Sequence, residues 1–254
     1  MKATGETTDP TIARTIDPAE VARFSAHAAS WWDLAGSFRP LHRLNPARLV
    51  FIRGALDAHF RRDGRSLAPF VGLSLCDIGC GGGLIAEPMA RLGFAVTAID
   101  ADDKAIAVAR EHAGASGLNI DYRSETAESL AGDTRQFDVV LALEIIEHVA
   151  DPDALLGACS ALIKPGGAFI GATLNRTPQS YALAIVGAEY IMRWLPRGTH
   201  DWRRFLRPSE FVLGLRRAGL MPTRLKGLRY RPLSGDWVQT DDLSVNYMVM
   251  AAKP

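Results

Sequence analysis

The segment DIGCGGGL, residues 77–84, combines an acidic residue with closely spaced glycines. It lies between a strand-like run and a helix-like run. Gly79, Gly81 and Gly83 would therefore let the backbone turn sharply and approach a ligand that a β-carbon would exclude. Asp100 ends the next predicted strand, about 20 residues further on, where a carboxylate can accept hydrogen bonds from both hydroxyls of a ribose. The two features together predict a nucleotide-type site, and a tight turn without a ligand is the alternative.

The spacing of the glycines bears on which nucleotide would bind. When the dinucleotide fingerprint G-x-G-x-x-G is started at Gly79, its last glycine falls on Leu84. No tyrosine is followed by a lysine four residues later, so the proton-donor pair of many nicotinamide enzymes is missing. Asp77, Gly79, Gly81 and Gly83 occupy every second position. This pattern suits S-adenosylmethionine, which has an adenosine but no phosphate. A nicotinamide cofactor remains the disfavoured alternative.

A second cluster of reactive side chains follows another predicted strand, in the segment EIIEH. Ligands of open α/β folds bind at this edge of the sheet. Glu144, Glu147 and His148 could hold a divalent cation, although their spacing alone does not establish one. His148 or Glu144 could instead act as a general base. A structural role is the alternative, because acidic residues favour the amino end of a helix in any case.

The elements that must position these residues begin near residue 73, where short β-rich runs alternate with helix-length segments. This pattern is typical of parallel βαβ units. Five runs predict parallel strands, namely LSLCDIG, AVTAID, IDYRS, FDVVLALE and GAFIGATL. Two late runs, TRLKGLRYRP and VNYMVMAAK, predict a closing pair of strands. We therefore expect an α/β fold with a seven-stranded, mostly parallel, Rossmann-like sheet and helices on both faces.

The remaining segments surround this core. Residues 1–17 are polar and rich in threonine, which predicts a disordered tail. Residues 18–72 contain two helix-like stretches and are expected to form an amino-terminal helical cap. Residues 175–207 interrupt the βα rhythm and predict an insertion after the fifth strand. A single domain would then span residues 18–254.

Composition excludes several functional classes. The chain has 254 residues, with 29 Lys plus Arg against 28 Asp plus Glu, so its formal charge is +1. This balance argues against a nucleic-acid binder, which needs a basic excess. Three scattered cysteines are too few for a disulfide framework and fit a reducing cytosol. No segment has the features of a signal peptide or reaches the roughly 20 apolar residues of a membrane span, so we expect a cytoplasmic protein.

Several segments resemble a known family. In order, DIGCGGG, FDVVLALEIIEHVADP and LIKPGG resemble motifs of the class I S-adenosylmethionine-dependent methyltransferases. AASWWDLAGSFRPLHRLNPARL, EIIEHV, TLNRTPQSYALAIVGAEYI, LPRGTHDW and VNYM narrow the resemblance to the ubiquinone biosynthesis O-methyltransferases. The resemblance covers nearly everything from residue 18 to 252. One departure is Ser30, where the family commonly has arginine, and Trp31 and Trp32 supply the packing there.

The resemblance implies that S-adenosylmethionine is the methyl donor. In the family the donor is contacted at positions that match Arg48, Gly79, Asp100 and Leu143. An arginine can form a two-pronged bond to the donor's carboxylate, and a residue at a strand's carboxyl end can offer its backbone. With the rest of the turn, the predicted donor site comprises Arg48, Asp77, Gly79, Gly81, Gly83, Asp100 and Leu143.

The resemblance also implies an acceptor and a cation. The acceptors would be polyprenylated hydroxyphenols and catechols, at both O-methylation steps of ubiquinone biosynthesis, and a magnesium-type ion would lie at Glu144, Glu147 and His148. A phenol with a pKa near 10 must lose its proton to react, through the cation, His148 or Glu144. Three rival functions remain open: methylation of another small molecule, a nicotinamide-dependent oxidoreductase, and a lipid-binding module without turnover.

The insertion carries an apolar stretch, residues 181–195, with Glu189 and Arg193 as its charged residues. A basic cluster follows it: Arg197, His200, Arg203, Arg204 and Arg207. An apolar helix beside basic residues can bind an anionic membrane surface, whereas a lid, a core helix or a dimer contact is the alternative. The resemblance implies peripheral association with the inner membrane through this insertion. Other enzymes of ubiquinone biosynthesis are further expected partners.

Overall fold

The computed structural model describes residues 17–183 and 201–254. The predicted disordered tail, apart from Asp17, lies outside the described residues. The same is true of the central part of the predicted insertion, which includes most of the apolar stretch together with Arg197 and His200.

The amino-terminal cap contains two helices. Helix α1 (Pro18–Ser25) begins at Asp17, whose Oδ1 accepts a hydrogen bond from the Ala19 N–H at 3.1 Å. None of the residues of α1 is buried, so this helix lies on the surface of the molecule. Helix α2 (Arg39–His59) is longer and buries one side, from Leu44 to Leu56.

The core of the described chain is one twisted sheet. Its strands are β1 (Ser74–Ile78), β2 (Ala95–Asp100), β3 (Asp121–Ser124), β4 (Phe137–Leu143), β5 (Ile163–Leu174), β6 (Met221–Arg231), β7 (Asp236–Thr240) and β8 (Asn246–Ala252). Their order is β3-β2-β1-β4-β5-β8-β6-β7. The first five in this order pair in parallel and the last three are antiparallel. The expected mostly parallel Rossmann-like sheet is confirmed, with eight strands instead of seven because β7 forms a hairpin with β6.

Helices cover both faces of the sheet, as expected. The remaining helices are α3 (Ala86–Arg91), α4 (Asp103–Ala115), α5 (Ala127–Gly132), α6 (Pro152–Ala161), the single turn α7 (Pro178–Ser180) and α8 (Pro208–Arg217). Side chains alternate between the faces along each strand, so that Leu75 packs with α2, α3 and α4 whereas Cys76 packs with α5, α6 and α8. This two-sided burial explains why the parallel strands are nearly continuous apolar runs.

The topology brings the carboxyl ends of β1, β2, β4 and β5 to one edge of the sheet. In such folds this edge is the ligand-binding edge. Helices α1 and α2 and the β6–β7 hairpin supply further walls there. Within the described residues, every helix is too short or too polar to cross a membrane.

Two glycines provide a paired test of the packing. A β-carbon at Gly227 in β6 would lie 1.8 Å from the Asp242 carbonyl oxygen, whereas one at Gly157 in α6 would have nothing within 4 Å. We expect Gly227→Ala to destabilise the fold by about 1–3 kcal/mol through overpacking. Gly157→Ala should stabilise it by roughly 0.5–1 kcal/mol, because alanine loses less backbone entropy in a helix. Urea unfolding of both variants would measure this, and equal effects would contradict the described packing around β6.

Candidate functional site

A cavity of about 640 Å³ opens at the carboxyl edge of the sheet. It brings together most of the residues that the sequence predicts for the site. These are Arg48, Asp77, Gly79, Gly81, Asp100, Leu143, Glu144 and His148. Gly83 and Glu147 do not line it. A β-carbon at Gly83 would meet the Tyr122 hydroxyl at 2.2 Å, so this glycine makes room for a neighbouring side chain.

The glycine-rich turn is held by the end of the neighbouring strand. Asp100 Oδ2 accepts a hydrogen bond from the Gly81 N–H at 2.8 Å, and its Oδ1 accepts one from the Asp102 N–H at 2.9 Å. Gly81 has φ +52°, a backbone conformation that residues with a β-carbon rarely adopt. Burial raises the pKa of Asp100 above its usual value, and the two backbone donors oppose this rise. Asp100 therefore shapes the turn in addition to facing the cavity.

The amino-terminal cap packs directly on this turn. A β-carbon at Gly81 or Gly82 would lie 2.4 Å from the Trp31 ring, and Trp31 itself stacks on Phe38 with ring centroids 3.6 Å apart. The Trp32 indole N–H donates to the Gly82 carbonyl at 2.9 Å. The sequence predicted that Gly79, Gly81 and Gly83 make room for a ligand. At Gly81, and at Gly82, which carried no prediction, the close neighbour is Trp31. The adjacent tryptophans were the sequence signal for that contact.

Asp77 is the most unusual carboxylate of the cavity. It is only 3% exposed, and its Oδ2 atom has no hydrogen-bond partner among the described residues. Burial, together with the negative charge of Asp100, raises the pKa of Asp77 to about 7. A buried oxygen without a partner is costly, and a cationic or hydrogen-bond-donating ligand would relieve that cost. The site therefore fits a positively charged, ribose-containing molecule such as S-adenosylmethionine.

Arg48 of α2 and Glu144, which follows β4, form a largely buried ion pair in the cavity. Arg48 Nη2 lies 2.7 Å from Glu144 Oε1, and Arg48 is 3% exposed. The same Glu144 oxygen accepts a hydrogen bond from Asn246 Nδ2 at 3.0 Å, and Asn45 accepts one from Arg48 Nη1 at 3.3 Å. Neither Asn45 nor Asn246 was predicted as a site residue, although the VNYM segment that contains Asn246 contributed to the family resemblance. The predicted bond from Arg48 to the donor's carboxylate stays a prediction.

The other two residues of the EIIEH segment point to different partners. Glu147 Oε2 accepts a hydrogen bond from the Thr173 hydroxyl at 2.9 Å, and burial and the charge of Glu144 raise the pKa of Glu147 well above its usual range. His148 Nδ1 lies 2.9 Å from Glu20 Oε2 of α1. The Phe24 ring meets the His148 imidazole edge-on, with ring centroids 5.3 Å apart. Glu20 was not predicted from the sequence, because it lies 128 residues away from His148 in the chain.

This arrangement does not support the predicted cation at Glu144, Glu147 and His148. Glu144 is paired with Arg48, Glu147 accepts a hydrogen bond from the Thr173 hydroxyl, and the Nδ1 atom of His148 is directed to Glu20 of α1. Across residues 17–183 and 201–254, no three His, Cys, Asp or Glu side chains form a group that could hold a metal ion. These contacts do not fit a magnesium-type site.

Comparison with known proteins agrees with the site. A family model described as a methyltransferase domain matches residues 76–171. A ubiquinone biosynthesis O-methyltransferase from Paramagnetospirillum magneticum is 54% identical over 239 residues, which is 94% of this chain and 96% of that protein. A protein of the same name from Cereibacter sphaeroides is 56% identical over 241 residues, or 94% of this chain and 98% of its own length.

Solved structures share the fold at low sequence identity. The plantazolicin methyltransferase BamL matches with a TM-score of 0.64 at 17% identity, over 93% of this chain and 98% of that chain. Magnesium protoporphyrin IX methyltransferase from Synechocystis PCC 6803, solved with bound S-adenosylmethionine, matches with a TM-score of 0.62 at 16% identity, over 99% and 100% of the two chains. These two likenesses confirm the predicted class I methyltransferase fold.

The relatives settle the family among the interpretations that the sequence left open. More than half of the aligned residues are identical over nearly the whole length of both chains. This identity is much higher than that of the solved structures that share only the fold. The nicotinamide-dependent oxidoreductase and the lipid-binding module without turnover are thereby set aside. This chain belongs to the ubiquinone biosynthesis O-methyltransferase family of class I methyltransferases.

Proposed function

We propose that the protein transfers the methyl group of S-adenosylmethionine to a phenolic oxygen of polyprenylated hydroxyphenol and catechol intermediates, at both O-methylation steps of ubiquinone biosynthesis. The observation that carries this proposal is the meeting of Asp77, Asp100 and His148 in one largely apolar cavity. The first two residues suit a cationic nucleoside, and the third suits a hydroxyl that must lose a proton. The names of the relatives support the pathway and the O-methyl product.

The donor would occupy the part of the cavity between β1, β2 and β4. S-adenosylmethionine supplies a methyl group on a positively charged sulfur, which leaves as a neutral thioether. Asp100 would accept the ribose hydroxyls through lone pairs that its two backbone bonds leave available. Ionised Asp77 would balance the positive charge of the donor inside an apolar wall. Leu143, at the carboxyl end of β4, would offer its backbone beside the donor.

We assign removal of the acceptor's proton to His148. The contact of 2.9 Å between His148 Nδ1 and Glu20 Oε2 orients the imidazole, and in the tautomer that donates from Nδ1 the lone pair of the ring lies on Nε2. Glu144 is the weaker candidate base, because its Oε1 atom is already occupied by Arg48 and Asn246. The displacement needs no protein nucleophile, since holding oxygen, carbon and sulfur in line can supply about 7–11 kcal/mol.

Peripheral membrane association is a further part of the proposal. Tyr181 and Leu183, at the start of the apolar stretch, are half-exposed. Of the basic cluster, Arg204 pairs with Asp17 at 3.1 Å, whereas Arg203 and Arg207 expose their side chains at the surface. Exposed arginines beside apolar residues favour an anionic lipid surface, where the tail of the acceptor would also reside. Association with other enzymes of the pathway stays a prediction.

Methyl transfer itself is the direct test. We expect mass spectrometry to detect methylation of a prenylated catechol that depends on S-adenosylmethionine. Asp100→Ala should weaken donor binding about 10-fold to 100-fold, because a buried charged acceptor of hydrogen bonds is lost. Calorimetry would measure the affinity. Asp133→Ala, at an exposed aspartate after α5, is the matched control and should change nothing. Unchanged donor affinity in Asp100→Ala would contradict the ribose role.

Donor affinity should depend on pH through Asp77. The pKa of this group lies at about 7 in the protein without donor, so the carboxyl is neutral below that pH and ionised above it. A cationic donor binds the ionised form more tightly. Its affinity should therefore rise with pH and be about tenfold lower one pH unit below the pKa than on the plateau. Calorimetry in buffers of different ionisation enthalpy should detect proton release. Asp77→Asn should flatten the profile, and an unchanged slope would assign the effect to another group.

Membrane binding should depend on the exposed arginines of the insertion. We expect the double variant Arg203→Glu/Arg207→Glu to lose most of its flotation with anionic phosphatidylglycerol vesicles, because each basic residue near such a surface contributes about 1 kcal/mol. Arg61→Glu/Arg62→Glu changes the net charge by the same amount at exposed positions after α2 and should float like the wild type. Undiminished flotation of the first variant would remove the insertion from the proposal.

A further inference from the structure

The β6–β7 hairpin extends beyond the edge of the sheet that carries the site. Strand β8 begins at Asn246, which pairs with Leu174 of β5 and with Leu228 of β6. Beyond this row, β6 and β7 pair only with each other, through Arg229 with Val238, Tyr230 with Trp237 and Arg231 with Asp236. We call residues 229–238 the β6–β7 arm. The arm therefore stands above the carboxyl edge of the sheet as a two-stranded wall.

One side of the arm is an apolar wall of the cavity. Tyr230 and Trp237 face each other across the two strands, with ring centroids 5.6 Å apart. Both line the cavity, together with Leu228, Pro232 and two leucines of α2, Leu41 and Leu44. Arg229 is the one charged residue of the arm that also lines it. Strand β7 packs against α2, so the arm and this helix form one continuous part of the wall. The proposed chemistry of the donor and of His148 uses none of these side chains.

Strand spacing separates this wall from the donor site. The donor residues of the sheet lie on β2, β1 and β4, which occupy two strand spacings, or about 10 Å. From β4 to β6 the sheet continues for three further spacings, or about 14 Å. His148 follows β4, at the boundary between the two parts. An acceptor with its reacting oxygen near His148 therefore has an apolar compartment on the side away from Asp100.

We propose that the β6–β7 arm binds the first isoprenoid units of the acceptor's tail, with Tyr230 and Trp237 as the main contacts. This assignment rests on the proposed function, which supplies an acceptor with such a tail. A branched, unsaturated hydrocarbon offers no hydrogen bonds, and flat aromatic rings cover it over a large area. Tyr230, Pro232 and Trp237 match these requirements, and the arm acts on specificity while His148 acts on the proton.

The tip of the arm indicates where the tail leaves the cavity. Leu233 is fully exposed at the turn between β6 and β7, next to Pro232, which lines the cavity. A leucine without any covering residue is unfavourable at the tip of an ordinary hairpin, but it continues the apolar surface of the wall outward. The tail would pass along this surface towards lipid.

The test compares two acceptors on matched variants. A catechol with a farnesyl tail and the same catechol without a tail are assayed with the wild type, Trp237→Ala and Trp237→Phe. For Trp237→Ala we expect KM of the farnesylated acceptor to rise about tenfold, equal to about 1.4 kcal/mol, at nearly unchanged kcat. The tail-free acceptor should keep its kinetics within about twofold, since it does not reach the arm. Trp237→Phe retains a ring and should retain most of the affinity for the tail.

The outcomes separate the two proposals. Equal losses for both acceptors, or no loss for either, would overturn the role of the arm while the methyl transfer itself still stood. No methylation of either acceptor by the wild type would overturn the proposed function instead.

A second measurement uses the unmodified protein and does not depend on the folding of a variant. A prenylated catechol with a diazirine in its first isoprenoid unit should, after irradiation, label peptides from residues 228–238. Labelling confined to other segments would contradict the assignment.

Discussion

The site depends on the carboxylate of Asp100 at the end of β2. Through the hydrogen bond from the Gly81 N–H, this carboxylate holds the turn after β1 in a conformation that only glycine adopts readily. The cap packs its tryptophans on that turn, and the cavity exists because the turn and the cap are both in place. One side chain therefore couples the parallel sheet, the amino-terminal helices and the proposed ribose site.

Several carboxylates lie in or next to the largely apolar cavity, and their partners differ. Asp100 accepts two backbone hydrogen bonds, and Glu144 pairs with Arg48 and Asn246. Glu147, which does not line the cavity, accepts a hydrogen bond from the Thr173 hydroxyl through one oxygen and leaves the other without a partner among the described residues. Asp77 retains a buried oxygen without a hydrogen-bond partner among the described residues, and so do Asp102, Glu125 and Glu128, which also line the cavity. Buried charges are costly unless they are paired, so these oxygens make the donor half of the cavity favour a positively charged ligand.

The half of the cavity that would hold the acceptor is mainly apolar. Its walls come from the surface helix α1, from α2 and from the β6–β7 arm, which are additions to the parallel core of the sheet. The contact between Glu20 and His148 links α1 to the residue that we assign as the base. Helix α1 has no fully buried residue, and its contacts include the ion pair of Asp17 with Arg204 and the packing of Phe24 on the cluster around Trp31. The parallel core thus accounts for the donor site, and the additions account for the acceptor.

The sequence by itself determined the order of the five parallel strands, the turn with its partner Asp100, and the family, whereas the short helix α5 between β3 and β4 was not predicted. Local spacing and hydrophobic periodicity encode these features, because the residues involved are near neighbours in the chain or follow a repeating pattern. Strand β7 was missed because its short run alternates weakly and pairs only with β6. Only the tertiary structure decided that His148 meets Glu20, that Trp31 fills the space above Gly81, and that Glu144 pairs with Arg48 instead of joining Glu147 and His148 around an ion. The physical reason is that these contacts join distant segments of the chain, and their geometry follows from packing across the whole sheet.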